Sequence, residues 1–113
     1  TQLNDALETA TMKRAFGHHA ATLAGSSIKS MIGHPQGACG AASVVAMLGA
    51  LTNQDLHADG PFIPPTINLH ESDPACDLDY TPNVARTTDA RTVLVNCLAF
   101  GAKNSALILR AHR

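Results

Sequence analysis

Residues 29–51 read KSMIGHPQGACGAASVVAMLGAL, and the second part of that stretch decides the fold. Over residues 37–51 the side chains Ala41, Ala42, Val44, Val45, Met47, Leu48 and Leu51 leave almost no polar face. The pattern predicts a helix that is apolar all round, and such a helix is a buried one. A chain of 113 residues offers too little other material to surround it, so the covering is expected from a second domain half or a partner subunit. The chain also opens at Thr1, without a methionine, and enters a helix almost at once. It is therefore expected to be one piece of a larger protein.

Upstream, residues 25–29 (GSSIK) predict a short strand, because Ser competes for helical backbone bonds and Ile crowds them. Before that lies a helix from Asn4, with Asn4 as N-cap, Asp5 and Glu8 in its first turn, Lys13 and Arg14 in its last, and Gly17 to stop it. Downstream, residues 52–65 read as a polar loop ending in Pro64 and Pro65, and residues 68–83 as irregular structure broken by Pro74 and Pro82. Residues 92–98 (TVLVNCL) and 105–109 (SALIL) predict two strands of a hairpin, joined through Ala99-Phe100-Gly101-Ala102-Lys103-Asn104. No internal repeat interrupts this plan, and residues 1–113 are read as one domain.

Composition narrows the partners. A net charge of −1 with no basic cluster gives nothing to neutralise phosphates, so nucleic acid is not an expected partner. No apolar run reaches the length that spans a bilayer and no leader opens the chain, so no membrane is expected and the location is read as cytoplasmic. The cysteines Cys39, Cys76 and Cys97 are odd in number and lie far apart. They read as reduced, small buried side chains rather than a zinc or dithiol motif. His18, His19, His57, His70 and His112 show no metal-ligand spacing, and no metal is expected.

Chemistry points to Lys29-Ser30-Met31-Ile32-Gly33-His34-Pro35-Gln36-Gly37. An imidazole there lies near backbone N–H groups and the positive end of a helix dipole, which favours the neutral ring. A neutral imidazole can donate one hydrogen bond and accept another, as stabilising an enolate or oxyanion requires. Lys29, if close to His34, pushes the same way by like-charge repulsion. On spacing alone, however, a lone His after Gly is first read as a helix-start residue.

Four blocks change that weighting: SSIKSMIGHPQGACGA at 26–41, IPPTINL at 63–69, DPACDLDYTPNVAR at 73–86 and NCLAFGAKNSAL at 96–107. In order and spacing they resemble the carboxy-terminal region of β-ketoacyl-acyl-carrier-protein synthases, and ETATMKRAFG at 8–17 resembles the segment after that family's His-Gly-Thr-Gly-Thr loop. The resemblance implies an α/β, thiolase-like layered fold, of which this chain is most of the carboxy-terminal half, with a mixed sheet packed on a buried helix. It implies decarboxylative condensation of a cysteine-bound acyl group with malonyl-carrier protein, in fatty-acid or polyketide synthesis. His34 matches the second histidine of the family's Cys-His-His triad, which holds the malonyl thioester carbonyl. Lys29 matches the lysine of the local charge network. Phe100 matches the aromatic residue of the gating loop, whose backbone N–H helps form the oxyanion hole, with Gly101 beside it on the substrate side. Thr1 matches the last threonine of the upstream loop and would touch the pantetheine arm.

By the same resemblance the cysteine nucleophile and the first histidine lie upstream of Thr1, so this chain alone is expected to be inactive. The implied partners are acyl carrier protein, the remaining amino-terminal half and a homo- or heterodimer mate. No resident cofactor is implied, since phosphopantetheine arrives on the carrier. Departures are specific: Ser43 stands for a glutamate, Leu98 for a phenylalanine, Ala99 and Ala102 for gating-loop glycines, and Lys103 for a threonine. The connection over residues 52–62 is longer than usual. These favour a specialised polyketide-type or divergent synthase, with a non-catalytic chain-length-factor-like subunit as the alternative. A thiolase, which shares a GHP-x-G motif but lacks the PPTINL block, ranks third.

Overall fold

The computed structural model describes residues 3–52 and 59–112. Helix α1, Asn4–Phe16, ends where Gly17 takes a φ of 55° and returns its N–H to the Lys13 carbonyl. Its N-cap is Leu3, with no side-chain cap; Asn4 lies one position inside and bonds to Asp5 instead. A 3-10 turn, Gly17–Thr22, follows and buries Ala20.

Residues 25–29 are not a strand. Lys29 begins a one-turn helix, α2, Lys29–Ile32, closed by Gly33 at φ 76°. Tertiary bonds override the local β preference: the Gly25 N–H donates to the Asp79 carbonyl, the Ser27 N–H to the Thr66 hydroxyl, and Ser30 Oγ accepts the Ile67 N–H. A second 3-10 turn, Gln36–Ala38, leads into α3, Cys39–Thr52.

Two short strands, β1 (Phe62–Ile63) and β2 (Arg86–Thr87), pair antiparallel. The principal sheet is the antiparallel hairpin of β3, Thr92–Ala99, and β4, Lys103–Arg110, in register from Thr92 opposite Arg110 to Ala99 opposite Lys103. Among the described residues parallel pairing is confined to the isolated bridges Ala24–Asp79 and Thr66–Pro82. The mixed character expected of the sheet is thus not developed within this chain's own strands.

The layering follows from strand alternation. Adjacent strand residues point to opposite faces. On one face, Asn96 donates to Glu8 of α1. On the other, the Cys97 sulfur meets Gly40 of α3, 3.2 Å from where a Cβ would stand. The hairpin therefore lies between α1 and α3, in a mixed α/β arrangement.

Helix α3 corrects one expectation. Of its residues only Ala50 and Leu51 are buried within this chain, while Val45 is 71% exposed. Ala41, Val45, Leu48 and Thr52 form one exposed stripe at helical spacing. The helix is as apolar as its sequence, yet this stripe is left uncovered. Among the described residues no helix is long and apolar enough to cross a membrane.

Candidate functional site

His34 stands in the turn between α2 and α3, exposed in this chain. Gly33 makes the turn possible, its φ of 76° being one that L side chains rarely adopt. The Gln36 N–H donates to His34 Nδ1 at 3.1 Å. A backbone N–H can only donate, so Nδ1 must be the acceptor and the neutral ring carries its hydrogen on Nε2. Gln36 holds this amide in place at a φ of 32°, a left-handed conformation that costs a non-glycine residue roughly 1–2 kcal/mol.

The second element is the hairpin tip, Phe100–Ala102. Phe100 is 90% exposed in this chain. Gly101 adopts φ 72° and ψ 27°. Ala102 follows at φ 57°, so alanine occupies a left-handed position that glycine would take without cost. Lys103 opens β4 opposite Ala99.

These two elements are tied through their roots. Cys39 opens α3, Cys97 lies on β3 just before the tip, and the Cys97 sulfur packs against Gly40 in the first turn of the helix. Lys29, exposed at the start of α2, lies close enough for its charge to act on the Cys97 thiol. Burial pushes that thiol up, with Cys39 adding to the effect and Lys29 opposing it. Among the described residues no hydrogen bond joins His34 or Lys29 to Phe100 or Gly101. The Gly40–Cys97 contact, rather than a direct link, ties the start of α3, just after the histidine turn, to the root of the gating tip. Thr1 lies outside the described residues, as do His57 and most of the connection at 52–62.

Asp77 and Asp79 are each taken up in an ion pair, with Lys13 and Arg86 respectively. A hydrogen bond from Lys13 holds the Asp77 carboxyl below its usual range. Burial works to raise Asp79, but the Thr81 N–H and the Arg86 guanidinium outweigh it and leave the carboxyl lowered. Sequence reasoning passed over two buried threonines that hold distant segments together. Thr9, 1% exposed, donates to the Asp5 carbonyl and shares a hydrogen bond with the Tyr80 hydroxyl. Thr81, 2% exposed, donates to the Gly25 carbonyl. A threonine inside a predicted helix was the only available signal, and it does not name a partner 71 positions away. Among the described residues no three His, Cys, Asp or Glu side chains converge to hold a metal.

Comparison with known proteins adds a family. The domain described as "Beta-ketoacyl synthase, C-terminal domain" matches residues 1–70. A putative polyketide beta-ketoacyl synthase 1 of Streptomyces halstedii is 47% identical over 109 residues, covering 96% of this chain and 24% of that protein. The 3-oxoacyl-[acyl-carrier-protein] synthase 2 of Coxiella burnetii is 43% identical over 109 residues, again 96% of this chain and 25% of the relative. Among solved structures, the ishigamide ketosynthase/chain length factor superposes with a TM-score of 0.87 at 38% identity, over 100% of this chain and 26% of that one. A ketosynthase bound to a hexaketide, in complex with its type II polyketide acyl-carrier protein, gives a TM-score of 0.84 at 32% identity, over 94% of this chain and 24% of the matched chain. The chain thus spans about a quarter of the length of the relatives it matches.

Proposed function

The chain belongs to the β-ketoacyl synthase family through that family's carboxy-terminal domain, and from this premise we propose that it supplies the decarboxylation half of a condensing site in polyketide synthesis. The observation that carries the reading is the hydrogen bond from the Gln36 N–H to His34 Nδ1. With that nitrogen occupied, Nε2–H is the ring's free donor, suited to a malonyl thioester carbonyl. As the malonyl C–C bond breaks, carbon dioxide leaves and the electron pair moves onto the thioester as an enolate, whose oxygen His34 stabilises. The enolate carbon then attacks an acyl thioester carried on a cysteine of the longer protein, and the cysteine thiolate departs.

In that second step negative charge gathers on the acyl oxygen. The Phe100 backbone N–H, presented by a tip whose left-handed residues hold it clear of the hairpin, is the proposed donor from this chain. One such donor is worth about 2.7–4 kcal/mol elsewhere. Lys29 is assigned the task of holding the local field around the histidine turn, and Thr1 and Gly101 that of contacting the pantetheine arm. The substrates are an acyl thioester and malonyl-carrier protein. The partners are acyl carrier protein, the remaining amino-terminal part of the synthase and a dimer mate.

One observation favours a second reading. Ser43 and the alanines of the gating tip depart from a condensing pattern, and one structural neighbour pairs a ketosynthase with a chain length factor. Retention of both Lys29 and His34, with relatives named as synthases, favours the catalytic reading. The test is carbon dioxide release from malonyl-carrier protein by the full-length protein. His34→Ala is expected to lower it by about 10²–10⁴-fold. Release undiminished in the variant, or absent from the unmodified protein, would overturn the reading.

A further inference from the structure

Helix α3 uses alanine, the best helix former, at Ala41, Ala42, Ala46 and Ala50, yet its first turn holds Gly40. The reason lies across the layer. A Cβ at Gly40 would stand 3.2 Å from the Cys97 sulfur, and among the described residues, chain neighbours and the helix backbone aside, no other atom lies within 4 Å of that point. Carbon atoms alone rest about 3.5–4.0 Å apart, and sulfur is larger than carbon. Helix and strand therefore approach here more closely than a side chain at residue 40 would allow.

Each partner of this contact is built into one of the two elements assigned to chemistry. From Gly40 back to His34 the chain runs through the 3-10 turn Gln36–Ala38, braced by the Ala38 N–H on the Pro35 carbonyl at 2.8 Å and by the Gln36 N–H on His34 Nδ1. From Cys97 forward to the tip it is paired strand, Cys97 opposite Ser105 and Ala99 opposite Lys103. We propose that Gly40 and Cys97 are positioning residues that set the separation between the His34 imidazole and the Phe100 N–H; this role rests on the condensing function proposed above. Decarboxylation asks for the imidazole alone. Carbon–carbon bond formation asks for both groups at once, one holding the enolate oxygen and the other the acyl oxygen. An error in their separation therefore falls on condensation and spares decarboxylation.

The experiment compares the two reactions in the full-length protein. Gly40→Ala forces helix and strand apart by a few tenths of an ångström. A misplacement of about 1 Å costs on the order of 10²-fold in rate, so condensation at saturating substrates is expected to slow about 3–5-fold. Carbon dioxide release from malonyl-carrier protein, measured with no acyl group loaded, should change by less than about 2-fold. Adding Cys97→Ala removes the one atom that the new Cβ meets, and condensation in the double variant should return to within about 2-fold of the unmodified rate. A purely structural role for the pair would instead lower the thermal midpoint and both rates together. Condensation unchanged in Gly40→Ala, equal losses in the two reactions, or a double variant that stays slow overturns the proposal. If the unmodified protein shows neither reaction, the condensing function itself fails and this role with it.

Discussion

The two faces of the β3–β4 hairpin are finished to different degrees. On the α1 face, long-range polar contacts are made within the chain: Asn96 to Glu8 and Tyr80 to Thr9, with Thr9 almost wholly buried. On the α3 face the inner contacts are made at Gly40 and Cys97, but the outer stripe of α3 is open, with Val45 71% exposed. His34 and Phe100, the residues assigned to chemistry, are likewise exposed. One face is a frame that the chain completes alone. The other is an apolar, reactive surface of the kind that another body covers.

The largest test of that contrast is Val45→Asp in the full-length protein. If the outer stripe is covered there, a carboxylate must be buried without a partner, and the thermal midpoint should fall by the equivalent of about 3 kcal/mol or more. An unchanged midpoint would mean that the stripe stays in water. Next comes Gln36→Pro, which deletes the N–H that orients His34. Misplacement of a catalytic group costs about 10²-fold in rate, and decarboxylation should fall by that order. Gln36→Gly keeps the N–H and suits the positive φ, so it should keep the rate; equal losses in both would detach this amide from the chemistry.

The frame should respond more mildly. Tyr80→Phe removes the phenol from Thr9, and a net loss of about 0.5–1.5 kcal/mol is expected in thermal denaturation. Thr9 retains its bond to the Asp5 carbonyl, which limits the effect. Smallest is the acid response at Asp79. Its carboxyl is lowered from the ordinary 3.8 in the folded protein, so the associated stability is present above that value and is lost as pH falls through the lowered one. The half-exposed pair with Arg86 is worth about 0–1 kcal/mol. Arg86→Ala should flatten the denaturant-midpoint profile between about pH 5 and pH 2, and an undiminished slope would assign it to other carboxylates.

The same contrast separates what was legible in the sequence from what was not. Helix α1, its stop at Gly17 and the hairpin were readable because period, turn residues and glycine placement agree locally. The apolar stripe of α3 was readable too, and its exposure here is what a helix awaiting cover looks like. The strand expected over residues 25–29 failed because Ser27 and Ser30 spend their hydrogen bonds on Thr66 and Ile67, partners that no local pattern announces. Cys97 reads as a core residue, and nothing in the spacing says that its sulfur packs against Gly40. The histidine turn was found by motif, whereas the amide that sets its tautomer became visible only in the structure.

The bond between Asn96 and Glu8 spans 88 positions, and this has a consequence for the order of assembly. During synthesis at about 5–20 residues per second, Asn96 emerges on the order of ten seconds after Glu8. Until then α1, a helix of 13 residues, is of a length that is marginal in isolation, and the Tyr80 hydroxyl that joins Thr9 also arrives late. Helix α1 therefore takes its final place only as the hairpin forms, and a ribosome stalled before β3 would hold a nascent chain in which Glu8 still lacks its Asn96 partner.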